Sequence, residues 1–214
     1  MAEHSRRALP ESVAAASQTI PAEVARRIRL VVFDVDGVLT DAGVYVGRRD
    51  DGAPVELKRF DIQDGLGAKL LQDAGLVVAL VSGRLSHATA LRAEELGIDE
   101  CHQDGGADKV PLVEDLLERH SIAWSETAML ADDLPDLAVL TRVGLPAAVA
   151  NAQPEVRERA LWVSRRPGGH GAVREFARAL LVARGEWDGL VDAYVTARGG
   201  MGDGPAAAAP EEAR

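Results

Sequence analysis

The sequence predicts an α/β protein: a doubly wound, Rossmann-like parallel sheet with helices on both faces. Two observations predict it. Short β-rich apolar runs alternate with helix-like segments of about 10 to 15 residues, the pattern of βαβ units. Strands such as VVFD and VVALV are apolar at every position, as a sheet covered on both faces requires.

The elements follow in order. PAEVARRI, Pro21 to Ile28, reads as a short helix with proline in its first turn. LVVFD is the first strand. GVYVG and PVELKRF, separated by RRDDGA with its Asp-Gly pair, form a hairpin. GLGAKLLQDAG carries apolar residues at helical spacing and stops at Gly75. LVVALVSG is a strand, HATALRAEELG a helix ending at Gly97, and CHQ a short strand or loop. KVPLVEDLLERHS is helical, TAMLADD a strand, LPDLAVLTRVG a helix and LPAAVAN a strand. VRERA is a short helix, LWVS a last short strand and HGAVREFARALLVARG the final helix. Residues 1–21 read as a mobile arm, 22–196 as the ordered domain and 197–214, rich in Gly, Ala and Pro, as a disordered tail.

A chain of 214 residues supports one domain with a substantial core. A net charge of −10 without a basic block argues against a nucleic-acid partner and against an anionic membrane surface. No run of about 18 apolar residues predicts a membrane span. The first twenty residues lack a signal-peptide core, because Glu11, Ser12, Ser17 and Gln18 interrupt them, so the cytoplasm is the expected compartment. The single cysteine, Cys101, can form no internal disulfide, and no Cys/His spacing suggests zinc.

In open parallel sheets ligands bind beyond the carboxyl ends of the strands. The first strand ends in Asp34 and Asp36, the next in Ser82-Gly83-Arg84, and TAML in Asp132-Asp133; Asp108-Lys109 opens a helix between the last two. Each residue alone has an ordinary explanation: an Asp at a strand end caps helices, Ser-Gly makes turns, and Asp136 could lie on an exposed first turn. Together they gather carboxylates that repel one another on one sheet edge, which calls for a cation. Hard oxygen donors with few nitrogens suit Mg²⁺.

This set resembles the haloacid dehalogenase superfamily of phosphotransferases. The resemblance runs through four motifs: DVDGVLT from Asp34 to Thr40, Ser82, Lys109, and ADDLPD. It implies Asp34 as nucleophile, Asp36 as general acid/base, and Lys109 and Ser82 on the phosphoryl oxygens. Mg²⁺ would be held by Asp34, the carbonyl of Asp36 and Asp132. Longer segments, DGVLTDAGVYVG, LKRFDIQDGLGAKLL, VSGR, ADKVPLVEDLL and GGHGAVREF, resemble the branch that hydrolyses 3-deoxy-D-manno-octulosonate 8-phosphate. That branch implies a haloacid dehalogenase-type fold with a small β-hairpin flap and no separate cap domain, since the segment between Leu39 and Gln63 has room only for a hairpin. It also implies a phosphorylated keto-sugar acid as substrate and a homotetramer with active sites at subunit interfaces. Arg84, Gly83, Asp64 and Gly65 would help line the pocket, and the Gly168 to Glu175 segment would close over a site. Ala131 departs from the family's usual Gly, and the loop GRRDDGAPVE is longer than usual. Open alternatives are a nine-carbon sialic or nononic acid 9-phosphate as substrate, a phosphoacceptor signalling module, and a catalytically idle partner. Motif order argues against a signalling receiver, because DxD comes first and Lys109 precedes the second acidic pair.

Overall fold

The computed structural model describes residues 19–200; most of the expected arm and tail lies outside them. Ile20 and Pro21, assigned to the arm, are described: Ile20 is buried in the core and Pro21 precedes the first helix, α1 (Ala22–Ala25). Its side chain is apolar and finds a covered seat, so the domain begins before Ala22.

The centre of the sheet is β1 (Leu30–Phe33), whose four residues are all buried. A hairpin follows, β2 (Thr40–Arg48) antiparallel to β3 (Pro54–Phe60). The remaining strands are β4 (Val77–Ser82), β5 (Glu100–Gln103), β6 (Thr127–Ala131), β7 (Leu145–Ala148) and β8 (Trp162–Val163). They join β1 in one parallel sheet of order β5-β4-β1-β6-β7-β8. The chain moves outward from β1 to β5, then returns past β1 to β6, so the order reverses at β1. That reversal opens a crevice at the carboxyl ends of β1, β4 and β6.

Right-handed crossovers place the helices. On one face lie α2 (Ile62–Asp73), α3 (His87–Leu96) and α7 (Ala172–Arg184); on the other lie α4 (Lys109–His120), α5 (Leu137–Leu140) and α6 (Pro154–Arg157). Helices α2 and α7 touch closely because Gly67 offers no Cβ; one built there would lie 2.8 Å from Arg174 Cα. Phe176 of α7 packs edge-on against Phe33 and Trp162, with ring centroids 6.2 and 5.4 Å apart. This fixes α7 across β1 and β8.

Local chemistry sets the ends of these helices. Asp61 caps α2 by accepting from Gln63 N at 2.7 Å, so α2 starts three residues before the sequence pattern placed it. Gly97, left-handed at φ +65°, ends α3 as expected. The helix expected over LPDLAVLTRVG is broken into a 3₁₀ turn at Leu134–Asp136 and the four-residue α5, because Pro135 and the seating of Asp136 interrupt it. A further helix, α8 (Trp187–Thr196), was not anticipated. It packs on α7, and the guanidinium groups of Arg174 and Arg178 lie 4.9 and 5.3 Å from the Trp187 ring centroid.

Among the described residues no cap domain exists, and no helix is long and apolar enough to cross a membrane. The hairpin rises beside the carboxyl edge and leaves apolar residues in solvent: Tyr45 is 69% exposed, Val46 80% and Leu57 61%.

Candidate active site

The loop from Val35 to Leu39 determines how the first two aspartates point. Asp34 leaves β1 extended, with its N–H donating to Leu130 O at 3.2 Å. The chain then winds back on itself through Gly37, at φ +101°. The buried Thr40 hydroxyl holds this turn, accepting from Gly37 N and Ala42 N and donating to Val35 O at 3.2 to 3.3 Å. Glycine is required at position 37 twice over. Its φ disfavours any side chain, and a Cβ there would overlap the Asp132 carboxylate.

A second glycine contact presses on the same loop. Gly168 lies so close that a Cβ would overlap the Gly37 carbonyl, and Gly169 N donates to Val38 O at 2.9 Å. This segment is tied down from three sides. Asn151 Oδ1 accepts from Gly168 N at 2.9 Å, Arg59 donates to Gly169 O at 2.6 Å, and Asp64 accepts from Gly171 N and Arg174 N at 3.1 and 2.9 Å. GGHG is therefore a packed strap behind the nucleophile loop. His170 is exposed.

Asp34, Asp36, Ser82, Gly83, Arg84, Lys109 and Asp132 line one cavity of about 250 Å³ at the carboxyl edge of the sheet. Ser82 ends β4, and its hydroxyl accepts from Arg84 N at 3.1 Å. Lys109 opens α4 and is nearly fully buried; its Nζ donates to Asp34 Oδ1 and, at 2.5 Å, to Asp136 Oδ1. Asp64 and Gly65 lie on α2, outside this cavity. Asp64 is fully buried capping α7, and Gly65 faces Arg92 and Leu96. Two of the three described non-glycine residues at positive φ, Ala42 and Ala107, also line the cavity, so backbone strain gathers where the site is built.

Two members were missing from the sequence-based set. Asp136, which could have been an exposed first-turn residue, is 1% exposed and holds Lys109 from the far side. Its only signal was its place three residues after Asp133. Lys58 of β3 is the other: its buried Nζ sits 2.7 Å from Asp36 Oδ1. Its parity with Phe60, along a strand that buries alternate residues, was a weak sign that it points inward.

The electrostatics of the cluster are unbalanced. Burial, then the charge of Asp136, raises the Asp34 carboxyl to about 6, against the pull of Lys109. Burial, then Asp34 and Asp136, raises Asp132 to about 8. Burial works against the Lys109 ammonium, but Asp34 and Asp136 outweigh it and hold the charge in place. Lys58 offsets Asp36. Fully ionised, the remaining three carboxylates, Asp34, Asp132 and Asp136, would stand against one ammonium with a surplus of two negative charges, which is why protons are held there without a cation. Oxygens of these three carboxylates lie within 4.8 Å of one another, which suits a hard divalent cation. Both oxygens of Asp136 are engaged, Oδ1 by Lys109 and Oδ2 by Asp132 N at 3.4 Å, whereas Lys109 takes only Oδ1 of Asp34, so Asp34 and Asp132 are the ones placed to hold such an ion.

A family model for haloacid dehalogenase-like hydrolases matches residues 102–175. The chain is also 41% identical over 164 residues to the 3-deoxy-D-manno-octulosonate 8-phosphate phosphatase KdsC of Escherichia coli, covering 77% of this chain and 85% of that protein. The chain belongs to the haloacid dehalogenase-like hydrolases. Solved structures agree. The 3-deoxy-D-manno-octulosonate 8-phosphate phosphatase of Moraxella catarrhalis, in complex with magnesium, phosphate and a KDO molecule, superposes with a TM-score of 0.75 at 34% identity. That match covers 81% of this chain and 97% of the other. The Yersinia pestis phosphatase of the same name gives 0.73 at 38% identity, over 78% and 88% of the two chains. The fold expected from the four motifs is thus the fold of the family.

Proposed function

We propose that this chain hydrolyses 3-deoxy-D-manno-octulosonate 8-phosphate to the free sugar acid and phosphate, through a phosphoaspartate on Asp34 and with Mg²⁺ as cofactor. The convergence of Asp34, Asp36, Ser82, Lys109 and Asp132 on one cavity at the carboxyl edge of the sheet carries this reading. The names of the relatives support the substrate, and the charge surplus supports the metal.

The chemistry follows from the residues. A carboxylate oxygen of Asp34 attacks phosphorus while the bond to the sugar oxygen breaks. The leaving alkoxide takes a proton from the Asp36 carboxyl. Water then attacks the phosphoaspartate, gives its proton to Asp36, and releases phosphate as the Asp34–phosphorus bond breaks. Lys109 holds the nucleophile and meets the phosphoryl oxygens, and the Ser82 hydroxyl is a second donor toward them. Bound Mg²⁺, held by Asp34, Asp132 and the Asp36 carbonyl, would neutralise phosphoryl charge and relieve the repulsion between the two carboxylates. Arg84, at the rim of the cavity, supplies a cation for an anionic sugar acid despite the acidic chain.

The same reading takes the protein to be a cytoplasmic homotetramer. The exposed apolar residues on the hairpin, with Ile62 and Leu85 at its foot, support association through that face.

Phosphate release with Mg²⁺ tests the reading, measured in parallel on the octulosonate 8-phosphate, nine-carbon nononate and sialate 9-phosphates, and hexose phosphates. A preference for the octulosonate of 10-fold or more, by roughly the discrimination a shaped pocket provides, is expected. Preference for a nine-carbon acid would keep the chemistry and replace the substrate; release from none would overturn the reading.

A further inference from the structure

Among the described residues, one buried ammonium near the site has no part in the reaction above. Lys58 lies on the hairpin strand β3 with its side chain fully buried. Its Nζ contacts Asp36 Oδ1 at 2.7 Å, Thr89 Oγ1 at 3.3 Å and Glu56 Oε1 at 3.9 Å. Glu56 is itself held by Ser86 Oγ and Arg84, each at 2.5 Å. The Ser86 hydroxyl, Arg84 and Lys58 keep the Glu56 carboxyl below its usual range, against the effect of burial. Lys58 is therefore suspended between two carboxylates and braced from α3 by Thr89.

Asp36 depends on this arrangement. Both of its carboxyl oxygens are shut off from solvent, and neither makes a hydrogen bond of good geometry. The charge contact with Lys58 is what anchors them. An ammonium left unpaired at this depth would be costly, and so would a buried carboxylate, so neither group has reason to move away alone.

We propose that Lys58 is a positioning residue for proton transfer: it orients the Asp36 carboxyl and balances the charge left there once the proton passes to the leaving oxygen. The proposal rests on the phosphatase reading above. In the transition state the Asp36 proton moves to the oxygen of the breaking phosphorus–oxygen bond, and negative charge grows on Asp36 beside the Lys58 ammonium. An interaction that strengthens as the reaction proceeds lowers the barrier rather than the KM. Because Lys58 belongs to the hairpin, the flap is tied to catalysis through this one contact.

The test exploits the leaving group. A sugar alkoxide needs the proton; nitrophenolate leaves without it. Lys58→Met and Lys58→Gln would be assayed with Mg²⁺ on 3-deoxy-D-manno-octulosonate 8-phosphate and on p-nitrophenyl phosphate. For the octulosonate, kcat is expected to fall by about 30- to 100-fold, within the range of general acid catalysis, with KM changed less than about threefold. For nitrophenyl phosphate, the pre-steady-state burst of nitrophenolate, which precedes the water step in which Asp36 is the base, should change in rate by less than about threefold, which also shows that the variant folds. A loss in the nitrophenolate burst as large as the loss on the octulosonate, in both variants, would reduce Lys58 to a structural role and overturn the proposal. No loss on either, or a rise in KM alone, would overturn it as well. Failure of the wild-type protein to release phosphate from either compound would instead remove the phosphatase reading on which the proposal stands.

Discussion

Two carboxylate clusters sit on the same sheet and obey opposite electrostatics. At the edge strand β5, Glu100 accepts from Arg119 at 2.7 and 3.0 Å, and its oxygens lie 2.8 Å from His102 Nε2 and 2.6 Å from His120 Nε2. Hydrogen bonds from Arg119 outweigh burial and, with those from His120 and His102, draw its carboxyl down to about 2. At the carboxyl edge of β1 and β6, burial raises Asp34 to about 6 and Asp132 to about 8, because a single Lys109 serves three acids. The first cluster is complete in itself. The second carries surplus negative charge that a divalent ion is suited to neutralise, so the direction of a carboxyl shift separates a surface ion-pair network from a reaction centre.

The largest effect that could break this comparison is Asp34→Asn. Removing the nucleophile should lower phosphate release by more than about 10³-fold in a steady-state assay, by roughly the loss seen when a covalent catalyst's nucleophile is removed. Glu100→Gln should leave kcat unchanged in the same assay. Next comes Gly37→Ala. A Cβ would collide with Asp132 and strain a φ of +101°, so kcat should fall by about 100-fold, the scale of a roughly 1 Å misplacement of reacting groups.

Metal and pH sharpen the contrast further. The native protein holds protons on Asp34 and Asp132 that the unfolded chain releases near pH 4. Stability of the metal-free protein should therefore fall as pH rises from about 4 to about 8. Mg²⁺ at about 100 times its Kd should raise Tm by roughly 5–10 °C at pH 8, and by less at pH 5, where protons compete for the same oxygens. Asp132→Asn should remove the part of the slope between about pH 6 and pH 8, leaving that of Asp34, and should abolish the Mg²⁺ response in a thermal melt. The smallest effect is expected at the edge cluster: Glu100→Gln should move Tm by less than about 3 °C, since partly exposed ion pairs contribute little.

The contrast also explains what the sequence made legible. Asp34, Ser82, Lys109 and Asp132 could be placed because each ends or follows a strand, and a parallel sheet brings strand ends together whatever the side-chain details. Asp136 and Lys58 could not. Asp136 enters the site because a 3₁₀ turn replaces the first turn of the expected helix and swings it beneath Lys109. Lys58 enters because the hairpin leans over Asp36, and a lysine on a flap strand looks like any solvated lysine until that docking is known. Helix α8 was missed for a related reason. Trp187, Leu190, Val191 and Tyr194 carry helical spacing, but the segment follows Gly185 with no strand beyond it, so its place depends on docking against α7. Asp64, expected at the pocket, is instead the acceptor that fixes the strap behind the nucleophile loop, a partnership over 107 and 110 residues that no local pattern announces.

The central claim is that Asp34 becomes phosphorylated, and rapid quenching tests it most directly. Enzyme, Mg²⁺ and radiolabelled octulosonate 8-phosphate would be mixed, stopped in acid within one turnover, and the protein examined for hydroxylamine-labile label. The account predicts label on Asp34 in the wild-type protein and none in Asp34→Asn. Phosphate released with no labelled protein at any time, or label that persists in Asp34→Asn, would contradict it.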